Sequence, residues 1–226
     1  MVIFFSITSV MNPISLLKLT FYVTYVFLIT TGSVTFIEAL TSKVPEIRHI
    51  LNIETVISIV AGFFYSQFVA GLSNTPNFAL MTQTRYLDWS ITTPFMLLSL
   101  CLALGFNIKK QLHLSVFLAI IAMNYGMLIL GYLGETNRLD KRIAVIISFA
   151  FFIAMYAIVY NTFVHGYNNK ANLVIFSIFV MVWSIYGFVY FNKDETKNIA
   201  YNILDLIAKC FTGIFFWLYF SKIITV

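Results

Sequence analysis

Seven long apolar segments, separated by short polar breaks, make up nearly all of this 226-residue chain. A segment of about 20 apolar residues is long enough to cross the hydrocarbon core of a bilayer as a helix. The composition agrees, since only 10% of the residues are charged, against roughly 25% in soluble proteins. The sequence therefore predicts an all-α membrane protein, a bundle of seven transmembrane helices. The predicted spans lie near residues 14–40, 51–72, 84–104, 114–133, 142–164, 172–191 and 198–224.

The polar breaks are too short to hold a soluble domain, so we expect residues 1–226 to form a single seven-helix domain. An odd number of spans places the two termini on opposite sides of the bilayer. Lysine and arginine are divided between the two sets of breaks with too small a margin to decide the orientation. The lipid bilayer is the expected surrounding. No loop has the basic, aromatic-rich character of a nucleic-acid surface, and no metal site is predicted.

Lys209, Asp205, Asp88 and Arg85 are ionisable residues that fall inside these apolar spans. A charge at membrane depth is costly, so such residues are rare and usually functional. Asp205 and Lys209 are four residues apart, which places them on the same face of a helix. These four residues are the predicted functional site.

Polar residues also recur on one face of the third span. Thr92 lies one helical turn after Asp88, and Ser99 returns to the same face three turns after it, about 16 Å along the axis. Such a row could carry a proton or an ion. The alternative is a set of hydroxyls that pack against neighbouring helices, which is common in membrane proteins.

Two motifs in these spans together resemble the microbial (type 1) rhodopsins. They are the Arg-Tyr-x-Asp-Trp-x-x-Thr-Thr-Pro block at 85–94 and the Asp-x-x-x-Lys pair at 205–209. The resemblance covers the whole chain, and the Asp-Thr-Ser set at 88, 92 and 99 is similar to that of the viral group. In this family, all-trans retinal forms a Schiff base with the lysine of the last helix. The resemblance thus implies retinal on Lys209, in the centre of the bundle.

The resemblance also implies which residues surround the retinal. Tyr65 matches the tyrosine that donates a hydrogen bond to the aspartate of the last helix. For the aromatic residues and Met127, plain core packing is the alternative interpretation. The residues that match the retinal pocket of the family are Trp89, Thr93, Met127, Gly131, Trp183, Tyr186 and Tyr190.

A cation at Lys209 and Arg85 would be balanced by Asp88 and Asp205, as buried charges require. By resemblance, light alters this pairing and Asp88 becomes the proton acceptor. The first predicted function is therefore a light-driven outward proton pump, and no enzymatic activity is expected. The resemblance places the amino terminus outside the cell and the carboxy terminus in the cytoplasm.

One position departs from the pump pattern, because Ser99 stands where proton-pumping relatives carry a carboxylate. A hydroxyl cannot donate a proton at neutral pH, so we expect another group to return the proton. Glu54 is the candidate, at about the depth of Ser99, unless it faces the lipid headgroups. This departure keeps a light-gated cation channel as the second function and a photosensory receptor as the third. The transported species, protons or cations, and a homo-oligomeric state are left open.

Overall fold

The computed structural model of the protein describes residues 12–72 and 75–224. Within them the chain forms seven helices that are long and apolar enough to cross a membrane, and no strand. The predicted all-α bundle of seven helices is therefore confirmed. The expectation of one domain over 1–226 stays a prediction, and residues 1–11, 73–74 and 225–226 lie outside the described residues. The helices are α1 (Pro13–Thr41), α2 (Pro45–Ala70), α3 (Phe78–Asn107), α4 (Leu114–Glu135), α5 (Lys141–Phe163), α6 (Lys170–Val189) and α7 (Asp194–Phe220).

Several helices begin earlier than the apolar segments do. The start of α2 is Pro45 and not residue 51, because proline is suited to the first position of a helix, where its missing N–H is not needed. The start of α3 is Phe78 and not residue 84, since the Asn77 side chain accepts a hydrogen bond from the Leu80 amide at 3.1 Å and caps the helix. Hydropathy marks the membrane core, whereas capping marks where a helix begins.

The central helix of the bundle is α3. In its most apolar stretch of 18 residues, 61% are buried inside the protein, against 11% for α4. Large apolar side chains on the outer surface, such as Leu40, Leu114 and Phe188, are about 70% exposed, as lipid-facing residues should be. The residues of α3 are therefore the ones best placed to form a site inside the bundle.

A proline lies within α3, yet the helix continues through it. Pro94 has no N–H, so it cannot bond to the carbonyl of Ser90 one turn earlier. Tyr125 of α4 donates its hydroxyl to that carbonyl at 3.0 Å. An unpaired carbonyl in the hydrocarbon region is costly, and neighbouring side chains commonly satisfy it in membrane helices. This contact keeps α3 hydrogen-bonded at the level of the site.

The last helix changes its winding at the functional lysine. Residues Leu206–Phe211 form a π-helical segment, with α-helix before and after it. Such segments are rare in proteins, but those that occur are often found at functional sites. Thr31 of α1 donates its hydroxyl to the carbonyl of Cys210 inside this segment, at 3.5 Å. The wide turn carries Lys209, which is 1% exposed, into the interior of the bundle.

Candidate functional site

Arg85, Asp88, Asp205 and Lys209 meet in the middle of the bundle, and we call them the central charge set. Lys209 Nζ lies 2.6 Å from Asp88 Oδ2 and 3.7 Å from Asp205 Oδ2. Arg85 Nη1 lies 3.6 Å from the same oxygen of Asp205. The side chains are at most 2% exposed. Two positive and two negative charges thus form a neutral group, which is the condition for keeping charges in a membrane interior.

Three side chains hold the carboxylate of Asp205. Tyr65 donates its hydroxyl to Oδ2 at 2.9 Å, and Tyr186 donates to Oδ1 at 2.7 Å. The indole N–H of Trp89 lies 3.4 Å from Oδ1. Hydrogen bonds to a carboxylate are strong and stabilise its charged form. The carboxylate of Asp205 is therefore fixed in position by side chains of α2, α3 and α6.

Arg85 is anchored from the side opposite to the lysine. Its Nε donates to Asn198 Oδ1 at 2.9 Å and its Nη2 to Asn202 Oδ1 at 2.5 Å. The guanidinium also lies 5.0 Å from the centre of the Phe68 ring and 5.4 Å from that of Phe21, where a cation–π attraction operates. The cation is thus fixed between the central carboxylates and the end of the bundle at which α1 begins.

In Asp88 the two carboxylate oxygens differ. Oδ2 accepts the hydrogen bond from Lys209, while Oδ1 is buried and has no hydrogen-bond partner among the described residues. An unpaired acceptor buried in a protein is costly. Asp88 thus accepts one side-chain hydrogen bond, whereas Asp205 accepts three.

A cavity with about 820 Å³ of space not filled by protein atoms adjoins Lys209. This space includes an opening to the surroundings of the bundle. Nine of the predicted site residues line it. They are Trp89, Thr93, Met127, Gly131, Trp183, Tyr186, Tyr190, Asp205 and Lys209. Tyr65, by contrast, lies behind the cavity wall, where it binds Asp205.

The rest of the cavity wall was not predicted from the sequence. Much of it comes from the aromatic and aliphatic side chains of α5, which carry no motif. Tyr86 and Tyr201 join from α3 and α7. The unpredicted lining residues also include Met96, Leu128, Val145, Ser148, Phe149, Phe152 and Gly187.

The residues of the predicted polar row on α3 have separate hydrogen-bond partners in the structure. Thr92 donates its hydroxyl to the backbone carbonyl of Asp88, at 2.8 Å. Ser99 donates to Glu54 Oε1 of α2, at 2.5 Å. Glu54 is 2% exposed, so it faces the interior of the bundle and not the lipid headgroups. Ser99 and Glu54 thus form a polar pair on the opposite side of Lys209 from Arg85.

Asn124 is a site residue that the sequence analysis missed. Its amide donates to the hydroxyl of Thr93 at 2.8 Å, and Thr93 in turn donates to the carbonyl of Trp89 at 2.7 Å. Asn124 is fully buried, and its Oδ1 has no partner among the described residues. A polar amide in the middle of an apolar span was the available signal.

A second buried ion pair joins the ends of α4 and α7. Lys197 Nζ lies 2.7 Å from Glu135 Oε2 and 2.9 Å from Asp194 Oδ1. The side chains of Lys197 and Glu135 are 2% and 4% exposed, whereas that of Asp194 is 55% exposed. We call Glu135 and Lys197 the terminal ion pair. Within the described residues, no group of three or more His, Cys, Asp or Glu side chains is placed to hold a metal ion.

Known proteins resemble this chain in sequence and in fold. Residues 15–223 match the family described as bacteriorhodopsin-like protein. The chain belongs to the microbial rhodopsin family. It resembles the viral rhodopsin OLPVRII, with 42% identity, a TM-score of 0.88, and coverage of 93% of this chain and 100% of that one. It is also 25% identical to Opsin-1 of Neurospora crassa over an alignment of 239 positions, which covers 89% of this chain and 75% of that protein.

A more distant structure shows the fold alone. Acetabularia rhodopsin I is 17% identical, with a TM-score of 0.76 over 92% of this chain and 95% of that chain. Like the relatives, the protein is an integral membrane protein with several spans. Microbial rhodopsins are light-driven pumps, channels or sensors and not enzymes.

Rhodopsins of this family bind retinal through a Schiff base on a lysine of the seventh helix. The predicted cofactor is thereby confirmed, and Lys209 is the lysine of α7 that borders the cavity. The residues fit the group, since a long apolar aldehyde needs an amine at one end of an apolar, aromatic-walled space. In the structure, Lys209 Nζ stands in for the imine nitrogen of the retinal-bound protein.

Proposed function

We propose that this rhodopsin is an outward light-driven proton pump in which Asp88 accepts a proton from the Lys209 nitrogen. The observation that carries the proposal is the 2.6 Å contact between Lys209 Nζ and Asp88 Oδ2, which is within the reach of a direct proton transfer. When bound, retinal supplies the absorption of light and the isomerisation that disturbs this contact. The protein supplies the proton acceptor, the barrier to direct return of the proton, and the group that later returns a proton to Lys209.

The choice of Asp88 over Asp205 follows from their surroundings. Asp205 accepts hydrogen bonds from Tyr65 and Tyr186 and lies beside Arg85. These contacts stabilise a negative charge, whereas Asp88 Oδ1 has no partner among the described residues. Neutralising Asp88 therefore costs less than neutralising Asp205. The transfer also leaves the central charge set neutral, with Arg85 and Asp205 as its remaining charges.

Glu54 is the proposed source of the proton that returns to Lys209. It is a buried carboxyl group on the far side of Lys209 from Arg85, and its partner Ser99 has no proton to give at neutral pH. We place the end of the bundle where α1 begins outside the cell. The proton then leaves past Arg85 and is replaced past Glu54, which makes the transport outward.

A light-gated cation channel is the second candidate, and one observation favours it. Two further hydroxyl groups lie near Glu54. Thr55 follows it on α2, and Thr55 Oγ1 lies 2.9 Å from Thr35 Oγ1 of α1. These side chains are buried and polar, so a small opening between α1 and α2 would admit water and then ions. No comparable observation favours a photosensory receptor.

Photocurrents measured against membrane voltage distinguish the two candidates. Cells that express the full chain with retinal are illuminated with identical proton, sodium and potassium concentrations on both sides. A pump drives outward current at zero voltage. A current that vanishes at zero voltage, and whose reversal potential follows sodium or potassium when one gradient is changed, would contradict the pump.

A further inference from the structure

The carboxylate of Glu54 lies against the backbone of α7 at Gly213, which has no side chain. A Cβ placed on Gly213 would lie 3.3 Å from Glu54 Oε2. It would also lie 2.8 Å from Thr31 Cγ2 and 3.7 Å from Thr35 Cγ2 of α1. The first two distances are shorter than ordinary van der Waals contact. Only a glycine at this position leaves the Glu54 side chain where it is.

We propose that Gly213 is a positioning residue that sets where Glu54 holds its proton, and thereby how fast that proton returns to Lys209. This inference rests on the proposed role of Glu54 as the proton source. Gly213 is four residues after Lys209, so both lie on nearly the same face of α7. The absence of a side chain lets the carboxyl group of Glu54 approach the turn of α7 that follows the functional lysine.

Glu54 is thus held from two sides. Ser99 of α3 binds Oε1 at 2.5 Å, while Oε2 faces the backbone at Gly213. An added methyl group would push the carboxyl group away from α7 by a few tenths of an ångström or weaken its hydrogen bond to Ser99. Proton transfer depends steeply on the distance and orientation of the groups involved. A small displacement should therefore slow the proton's return.

A purely structural explanation must be separated from this one. The methyl group of Thr31 is the nearest atom to the added Cβ, so Gly213→Ala alone would also force α1 and α7 apart. Thr31→Ser removes that methyl group and keeps the hydroxyl that binds the Cys210 carbonyl. In the double variant Gly213→Ala/Thr31→Ser, the crowding of Glu54 remains while the clash with α1 is relieved.

The experiment uses the full chain with retinal in lipid and compares Thr31→Ser, Gly213→Ala/Thr31→Ser and Glu54→Gln. Gly62→Ala is a matched control, because its added Cβ would lie 3.3 Å from Ile29 Cδ1, a hydrocarbon atom. Flash spectroscopy measures how fast the Lys209 nitrogen regains its proton. Infrared spectroscopy measures the carboxyl stretch of Glu54, assigned by its loss in Glu54→Gln. Thr31→Ala is a second background if the first double variant does not bind retinal.

We expect the double variant to slow the proton's return by about tenfold or more relative to Thr31→Ser and to shift the Glu54 carboxyl stretch. Thermal stability and the visible absorption maximum should stay those of Thr31→Ser, and Gly62→Ala should keep the native rate. If Glu54→Gln slows the return but the double variant does not, the role of Gly213 is wrong and that of Glu54 stands. If Glu54→Gln does not change the rate of the proton's return, Glu54 is not the proton source, and the roles proposed for Glu54 and for Gly213 are both wrong.

Discussion

Each charge of the central charge set and of the terminal ion pair has an opposite charge beside it, and the terminal ion pair is the clearest structural example. Its two members are 2% and 4% exposed and bind through both oxygens of Glu135, at 2.7 and 3.0 Å from Lys197 Nζ. Removing two charges from water costs free energy, and their mutual attraction offsets this cost only while both members are present. The terminal ion pair therefore fastens α4 to α7 at one end of the retinal pocket.

Glu135→Gln should destabilise the protein by about 3 kcal/mol, because it leaves the Lys197 ammonium buried without its main counter-charge. The exposed Asp194 offers only partial compensation. Replacing both members with apolar residues of similar size, as Glu135→Leu/Lys197→Met, should recover most of the loss. Thermal release of retinal in detergent measures the three stabilities. A Glu135→Gln variant as stable as the native protein would show that the pair contributes nothing.

The residues of the central charge set could be predicted from sequence because an ionisable residue in an apolar span stands out. The depth of Glu54 could also be predicted, since helical rise alone places it level with Ser99. The terminal ion pair could not. Glu135 and Lys197 lie at helix ends, where charged residues are common, and 62 positions separate them in the sequence.

At the scale of helices, α3 depends on a neighbour to remain hydrogen-bonded through its proline. The hydroxyl of Tyr125 replaces the N–H that Pro94 lacks and binds the Ser90 carbonyl. This segment carries Asp88 and Trp89 on one side of the proline and Ser99 on the other. The contact between α3 and α4 therefore supports the geometry of the site as well as the fold.

Tyr125→Phe should lower stability by about 1 kcal/mol, because it leaves the Ser90 carbonyl without a partner in an apolar environment. In a Pro94→Ala background the residue at 94 regains an N–H that binds this carbonyl. The same Tyr125→Phe change should then have almost no effect. Thermal unfolding of the four proteins forms a double-mutant cycle. Equal losses in both backgrounds would refute the role given to Tyr125.

The seven α-helices could be predicted from sequence, but their ends could not. The early starts of α2 and α3 come from Pro45 and from the cap at Asn77, which hydropathy does not detect. The π-helical segment around Lys209 likewise has no signal in the pattern of apolar residues. Its carbonyl at Cys210 is bound by Thr31, a residue about 180 positions away.

At the scale of the whole molecule, hydropathy and two motifs predict the seven-helix bundle and its cofactor, while the pocket wall depends on three-dimensional packing. Phe149 and Phe152 of α5 line the pocket, but nothing distinguishes them in sequence from the lipid-facing residues beside them. The direction of transport also depends on the bundle as a whole, because it follows from which end of the bundle faces the cytoplasm.

Single-cysteine labelling should reveal the orientation. Lys43 and Arg138 are exposed and lie in loops at opposite ends of the bundle, and the native Cys101 and Cys210 are buried. We expect a membrane-impermeant maleimide to label Arg138→Cys in intact cells and to label Lys43→Cys only after the cells are opened. The reverse pattern would place the amino terminus inside the cell and invert the proposed direction of transport.

The protonation of Asp88 is the most direct consequence of the proposed mechanism. Asp88→Asn should slow proton transfer from Lys209 on the order of 10²-fold or more, since the acceptor is gone. It should also red-shift the absorption, because the negative charge 2.6 Å from the Lys209 nitrogen stabilises the dark state. Asp88→Glu, which keeps the charge, is the matched control and should retain both properties in part.

Light-induced infrared difference spectroscopy of the retinal-bound protein tests this claim directly. The mechanism predicts a new protonated-carboxyl band that appears as the Lys209 nitrogen loses its proton and that is absent in Asp88→Asn. The same band in Asp88→Asn, with unchanged timing and undiminished proton transport, would show that Asp88 is not the proton acceptor.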